Sequence, residues 1–473
     1  FKTPFDITIE SREDDVAIAN SSAVAQEPGA DGFFRNVFET TEPIPTYLFA
    51  VAVGPLDVVE AVIPPNEVRA EPLAFRGVAP RGDGPKLAYA MQHTPAILAA
   101  LEQWFGIAYP YDKLDLVAVP DFGAGAMENV GLVTFRSNLL LVNETDTPTS
   151  RLRFFAYLMA HELAHMWFGN LVTMEWWDDL WLNEEFASWM EHRAVEAWRP
   201  AYEPDVELLD WVTGVMDQDG LQAARAIRQP IVSSHDIHNA FDGITYAKGA
   251  GVLGMFEQWL GRETFQQGIR AYLTQHRFQN ATAGDLMAAL GEAGGRDVAT
   301  PFQTFLTQPG IPFVNARLEC EGEGGPRVVM RQTRYLPVGS SADADRRWQI
   351  PVCIRFGSRG ADGDDQIACE QMLSEEEQTF PLPTETCPDW IHPNRSGSGY
   401  YRWTLPADGL RALQRARASL TTTERLSLAD ALRASFNANG VDGGVALEGL
   451  LQLASDPHHA VATSSLGFYR GVL

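Results

Sequence analysis

Two histidines four residues apart in a helix-forming run limit what this chain can become. The stretch LRFFAYLMAHELAHMWFGN, residues 152–170, contains His161-Glu162-Leu163-Ala164-His165, with no proline and no glycine before Gly169. On a helix, residues four apart share a face, so both imidazoles point the same way and can hold one metal ion. Glu162 follows the first histidine and can reach a water on that metal. A zinc ion that does chemistry takes three protein ligands and keeps one position open. A second helical run, WLNEEFASWMEHRAVEAW at 181–198, supplies Glu184, with eighteen residues between it and His165. The linker LVTMEWWDDL is long enough to fold this helix back beside the first. Two His and one Glu form the ligand set of hydrolytic zinc sites, so the fold must set these two helices side by side.

Length and charge narrow the setting. A chain of 473 residues is too long for one ordinary core, and about three domains is the expectation. A hydrophobic content of 45% and a charged content of 21% are those of a soluble globular protein. The net charge of −26 argues against nucleic acid or an anionic membrane surface as partner. No apolar run approaches the length of a membrane span. The chain opens at Phe1 without an initiator Met, in FKTPFDITIE, a strand already in progress; a processed or truncated product is expected. All four cysteines, Cys320, Cys353, Cys369 and Cys387, fall in one later segment. Even number and clustering suggest two disulfides in any of three connectivities, and an exported, periplasmic or extracellular protein. Four reduced thiols in a cytosolic β domain is the competing reading.

Along the chain, residues 1 to about 60 alternate polar and apolar in FDITIE, NVFETT and PTYLFAVAVGPLDVVEAV, which read as strands of an antiparallel sheet. LAYAMQHTPAILAALEQWFG at 87–106 reads as a helix. Strands mixed with long helices continue to about 308, an α+β or α/β domain around the metal site. Gln308-Pro309-Gly310-Ile311-Pro312 is a breaker cluster. Beyond it RVVMRQTRYL, WQIPVCIRF, IACEQML, QTFPL and GYYRWTL suggest a small β-sandwich ending near Leu405. From Ala407 the pattern is helical to the end, with Thr423 or a neighbouring Thr as N-cap. No repeat is strong enough to count.

Two further segments are candidates for the site. In DFGAGAMENVGLVTF, Asp121 to Phe135, Gly123, Gly125 and Gly131 let the backbone approach a ligand, and GLVTF is a strand beside which an extended peptide could pair. Glu128 is the one charged side chain between Asp121 and Arg136. By itself such a loop is equally an ordinary turn with a solvated acid. FDGITYAKGAG, Phe241 to Gly251, opens a helix, and Tyr246 could offer a phenol to a developing oxyanion. Spacing alone makes Tyr246 more readily a core or surface tyrosine.

With GAMEN at 125–129, HELAH at 161–165 and WLNEEFA at 181–187 in this order and spacing, the chain resembles the M1 family of zinc aminopeptidases, gluzincins with HExxH-x18-E. The likeness runs over nearly the whole chain: QPGIPFV resembles the entry to the family's third domain, HPNRSGSGYYRW its exit, and LTTTERLSLADAL the opening of its helical fourth domain. It implies a multidomain α+β protein: residues 1–60 the later part of an N-terminal β domain, 61–308 a thermolysin-like α/β catalytic domain, 309–405 a β-sandwich, and 406–473 the start of a C-terminal helical domain. It implies one zinc ion per chain on His161, His165 and Glu184, with Glu162 as base and Tyr246 steadying the transition state. Gly125, Ala126, Met127, Glu128 and Asn129 would bind substrate, Glu128 holding the free amine of a peptide.

There are two departures. The family commonly has Gly after the ligand Glu, and here Glu185 follows Glu184. The family also carries, shortly before the FKTPFDITI strand, a Gln and a Glu that help bind the amine, so the expected partners include N-terminal and C-terminal portions of the same protein beyond this chain. An epoxide hydrolase with aminopeptidase side activity shares these motifs. A non-catalytic peptide-binding homologue would usually have lost a ligand or the base, and all of them stand here.

Overall fold

In a computed structural model, residues 1–322, 324–358 and 366–472 are described, with 370 and 470–472 in backbone alone. Helices and several β-sheets mix along the chain, which forms two compact units. One joins Phe1–Pro204 with Gln266–Ala289, and the other joins Asp205–Phe265 with Leu290–Leu473. The limit at 204 falls inside the stretch 61–308.

The first unit opens with small antiparallel sheets. Thr8–Arg12 and Ala23–Pro28 flank Phe33–Phe38, while Val16–Ala19 pairs with Val51–Gly54. The run PTYL, expected as strand, is a single helical turn, Thr46–Leu48, because Pro45 with φ −71° sets up a turn just ahead of it. A five-stranded sheet follows, made of β1 (Leu56–Ile63), β2 (Leu73–Pro80), β3 (Lys113–Val119), β4 (Ala126–Met127) and β5 (Leu132–Arg136), in the order β1-β2-β3-β5-β4. β2, β3 and β5 run parallel, and β1 and β4 are antiparallel edges. The parallel β2–β3 pair needs a crossover, and helix α1 (Ala88–Phe105) provides it. Its buried face, Ala90, Ile97, Leu98, Leu101 and Phe105, has the helical period read from the sequence.

Helices α2 (Thr149–Ala164) and α3 (Trp181–Trp198) pack together. Rings fill the space around them: Phe168 stacks on Phe186 at 3.6 Å, Phe105 on Trp167 at 4.8 Å, and Trp104 meets Trp189 edge-on at 5.3 Å. Large interlocking rings allow few alternative registers, so this core fixes how α3 slides against α2. That sliding coordinate decides whether Glu184 meets the histidines.

In the second unit, seven strands form two sheets. One is Glu377–Pro381, Arg327–Arg334, Pro312–Glu319 and Arg402–Thr404; the other is Gln366–Leu373, Ile350–Gly357 and Trp390–His392, each in spatial order. Pro312–Glu319 lies directly against the breaker cluster, and this masks its alternation in the sequence. The helix Thr422–Asn437 is capped by Thr421 in a reciprocal box with Glu424; the cap falls there because only Thr421 has a Glu three residues on. Among the described residues no helix is long and apolar enough to cross a membrane.

The cysteines pair as Cys320–Cys387 and Cys353–Cys369, both inside the second unit. Closing loops of 67 and 16 residues takes roughly 3–4 kcal/mol each from the unfolded state in the loop-closure account. Denatured without reductant, the protein should therefore show no free thiol, and reduction should lower the unfolding midpoint of the second unit while bound metal is retained. Four titratable thiols would contradict the pairing.

Candidate metal centre

The site is built from the end of α2 and the start of α3. His161 and His165 lie one turn apart with ring centroids at 4.6 Å. α2 ends at Ala164, inside the helix-forming run, but His165 keeps helical dihedrals, φ −57° and ψ −24°, and so stays on the face of His161. Beyond it the turn widens: Asn170 N donates to His165 O at 3.0 Å and Leu171 N to Met166 O at 3.1 Å, each reaching back five residues. Gly169, at φ +108°, closes this turn, and a Cβ there would fall on the Asn183 side chain.

Glu184 sits in the first turn of α3 and sends its carboxylate between the imidazoles. Its Oε2 lies 3.3 Å from His161 Nε2 and 3.6 Å from His165 Nε2. The opposite ring nitrogens are engaged elsewhere. His161 Nδ1 is 2.8 Å from Glu191 Oε2; His165 Nδ1 is 2.8 Å from Asn183 Oδ1 and 3.0 Å from Phe168 O. Both Nε2 atoms are thereby turned to the side on which Glu184 stands, as metal-binding imidazoles with a fixed outer partner are. Three donors, two imidazole nitrogens and one carboxylate, lie within 4.8 Å of one another and are all buried. They fit a tetrahedral zinc ion with one position left open.

Glu128 and Glu162 enter the same cluster. Each offers a carboxylate oxygen within 4.8 Å of a His165 nitrogen and of the other. With His165 Nδ1 committed to Asn183, this group and the His161/His165/Glu184 group compete for one Nε2, and the one with two imidazoles is the better zinc site. The buried Glu162 Oε2 has no hydrogen-bond partner, as a base facing a metal-side water would have.

The loop bearing Glu128 is pinned at each step. Asn170 Nδ2 donates to Glu128 O at 2.8 Å, and Asn183 Nδ2 to Glu128 Oε1 at 3.0 Å. Lys113 Nζ holds Gly131 O at 2.7 Å, and Asn20 Nδ2 holds Val130 O at 2.8 Å. Gly131 has φ +65°, and a Cβ there would collide with Asn20 O. Asn129 Nδ2 reaches Leu48 O at 3.3 Å. Gly125 O accepts from Arg136 N at 2.9 Å, and Ala126–Met127 form the edge strand β4. Glu185 is fully buried, at 0% exposure. Tyr246 belongs to the second unit, half-buried on a π-helical turn, Ile244–Lys248, whose other side chains are buried.

Reading the sequence missed Asn183 and Glu191. Asn183 binds His165, Glu128 and, at 3.2 Å, Glu184 Oε1. Glu191 stands seven residues after Glu184, two helical turns along one face, and that spacing was the available signal.

Burial and neighbours set the proton affinities. Burial lowers His161, but Glu184 and Glu191 outweigh it and hold it well above the ordinary imidazole range. For His165, Glu128 and Glu184 overcome burial and push it up to about 9. Burial pushes Glu162 up to about 8 against the pull of the two imidazoles. Glu184 is raised by burial, yet the imidazoles beside it hold it below the usual carboxylate range.

The sequence profile described as the peptidase family M1 domain matches residues 89–305. The chain is 33% identical over 460 residues to the puromycin-sensitive aminopeptidase of Caenorhabditis elegans, a match covering 96% of this chain and 47% of that protein. It is 33% identical over 457 residues to aminopeptidase M1 of Arabidopsis thaliana (91% and 48%) and 36% identical over 355 residues to aminopeptidase M1-A of Oryza sativa subsp. japonica (75% and 39%). The chain carries a peptidase family M1 domain at residues 89–305. It spans less than half the length of these M1 relatives. The matched M1 segment contains the whole donor set together with Glu128, Glu162 and Tyr246.

The proton affinities generate a prediction. His161, His165 and Glu162 bind a proton more tightly folded than unfolded, so the stability they add to metal-free protein is complete below their unfolded values. It is lost as pH rises, through about 8 for Glu162 and about 9 for His165. Glu184 has the opposite sign and loses its contribution only in acid. Zinc requires unprotonated imidazoles, so the melting-temperature gap between zinc-loaded and stripped protein should widen from pH 6 to pH 9. A gap that narrows over that range in calorimetry would contradict the ligand set.

Proposed function

We propose that this chain is the catalytic portion of a zinc-dependent aminopeptidase that removes N-terminal residues from peptides with a free terminal amine. The observation that carries this reading is the buried cluster in which His161, His165 and Glu184 converge beside Glu162 and Glu128. The three relatives named above, all aminopeptidases by name, support it. One zinc ion on the three donors supplies, when bound, a Lewis acid that lowers a water's pKa to about 7.

The chain's own residues do the rest. Glu162, buried and without a hydrogen-bond partner at Oε2, takes the proton of the attacking water as it adds to the first peptide carbonyl. It then returns that proton to the leaving amine. Tyr246, by the family's pattern, donates a hydrogen bond to the developing oxyanion. Residues Gly125, Ala126, Met127 and Asn129 offer the free edge of β4 to an extended peptide. Glu128, steadied by Asn183, pairs with the substrate ammonium. A charge-assisted bond of this kind is worth roughly 1.5–3 kcal/mol, and it occupies the place a preceding residue would need.

The same reading divides the chain into four parts: 1–60 from an N-terminal β domain, 61–308 a thermolysin-like catalytic domain, 309–405 a β-sandwich, and 406–473 the opening of a helical domain. The remaining portions of such a protein would be partners of this chain. Two disulfides support an oxidising compartment, periplasmic or extracellular.

Substitutions separate the roles. Glu162→Gln should keep zinc and lose about 10²–10⁴ in kcat. Glu128→Ala should keep zinc and lower kcat/KM for free-amine substrates, while discrimination against N-acetylated peptides collapses. Equal wild-type turnover of free and acetylated peptides would remove the ground for an aminopeptidase.

A further inference from the structure

The turn that bears Tyr246 is gripped from both ends by polar groups of the second unit, half-exposed upstream and buried downstream. Upstream, Asp242 Oδ1 accepts from Ile244 N at 2.9 Å. Arg225 clamps Asp242 through two bonds of 2.6 and 3.1 Å and donates to Thr245 Oγ1 at 2.7 Å. Thr245 Oγ1 in turn donates to Ala240 O at 2.7 Å. Downstream, Lys248 Nζ lies 2.8 Å from Asp219 Oδ2, and both side chains are fully buried. Lys248 also points its donors at Gly310 O, 3.3 Å, and Gln308 O, 3.4 Å. Asp219 takes two more hydrogen bonds, from Tyr400 OH at 3.0 Å and Gly310 N at 2.9 Å.

A pair of charges at zero exposure is weak as a stabilising device, since apolar replacement of similar volume is often neutral or better. What such a pair offers is uniqueness of position. An ammonium group has three donors, and here they meet a carboxylate and two carbonyls drawn from segments far apart in the chain. The element it anchors is a π-helical turn, a rare form of helix found mostly as single turns and frequently at functional sites. Within that turn Tyr246 is the side chain left half-exposed, two residues before Lys248.

We infer that Lys248, locked by Asp219, is a positioning residue that sets the π-helical turn so that the Tyr246 phenol is held in its working direction. The inference rests on the reading of Tyr246 as the oxyanion donor. Lys248 does not touch substrate; it acts through Tyr246.

A double-mutant cycle on the zinc-loaded chain tests this, with kcat and KM measured on an aminoacyl anilide for wild type, Lys248→Met, Tyr246→Phe and the double variant. Lys248→Met should lower kcat about ten-fold with KM within two-fold and zinc content unchanged, and the double variant should be no slower than Tyr246→Phe alone. The same fall in kcat in the Tyr246→Phe background would overturn the inference while leaving the role of Tyr246 intact. Wild-type kcat in Tyr246→Phe would instead overturn the oxyanion reading, and this inference with it. A second readout needs no turnover: in metal-free protein, Lys248→Met should speed amide exchange over residues 242–250 at least ten-fold, and unchanged exchange would overturn the anchoring. Should Lys248→Met fail to fold, Tyr400→Phe removes one hydrogen bond to Asp219 and leaves the lysine in place. A loss of kcat that vanishes in the Tyr246→Phe background then supports the inference, and an additive loss overturns it.

Discussion

Both imidazoles of the HELAH segment turn toward one carboxylate oxygen, Glu184 Oε2, and Asn183 is the side chain that ties this arrangement together. It accepts from His165 on one side and donates to Glu184 and Glu128 on the other. The rest of the first unit serves this contact. The stacked rings of Phe168 and Phe186 set how far α3 slides along α2. Gly169 leaves the room that Asn183 occupies, and the widened turn after His165 brings Asn170 to the backbone of Glu128.

The charge balance of the cluster explains why it suits a cation. Glu128, Glu162 and Glu184 are exposed by 4%, 4% and 5%, in a region where His161 and His165 are the titratable bases of the metal cluster. Carboxylates crowded in a poorly solvated space repel one another and lose their hydration. Protonated imidazoles offset part of that cost, as the raised affinities of His161 and His165 for protons record. A divalent ion offsets it more completely and leaves the imidazoles neutral, which links metal binding to proton release and to the stability of the α2–α3 pair. The chain's large negative charge therefore has a buried component around the two imidazoles and a solvated remainder.

What could be read in the sequence was whatever rides on a fixed period. His161, Glu162 and His165 were legible because helical spacing alone puts them together, and Glu184 because a second helical run follows at a workable distance. The loop around Glu128 was legible as a glycine-rich segment, and its arrival beside His165 was not, since Asn20, Lys113, Asn170 and Asn183 hold it from four distant places. The end of α2 at Ala164 has no mark in the sequence, since LAHMWFG is as helix-compatible as what precedes it; the backbone leaves the helix there to reach Gly169. Thr46–Leu48 lies in a run whose alternation reads as strand, although Pro45 is a visible sign of a turn. The pairing of Cys320 with Cys387 and Cys353 with Cys369 was one of three possibilities that spacing cannot rank. The Lys248–Asp219 pair was hidden for the same reason: its members stand 29 residues apart, and nothing in either neighbourhood announces the other.

The claim on which all of this stands is that one metal ion sits on two imidazoles and one carboxylate. X-ray absorption at the zinc edge of the loaded chain tests it directly. The account predicts one zinc per chain with two imidazole nitrogens at about 2.0–2.1 Å, oxygen at about 2.0–2.2 Å and no sulfur. A shell containing sulfur at about 2.3 Å, or one with fewer than two imidazoles, would contradict it.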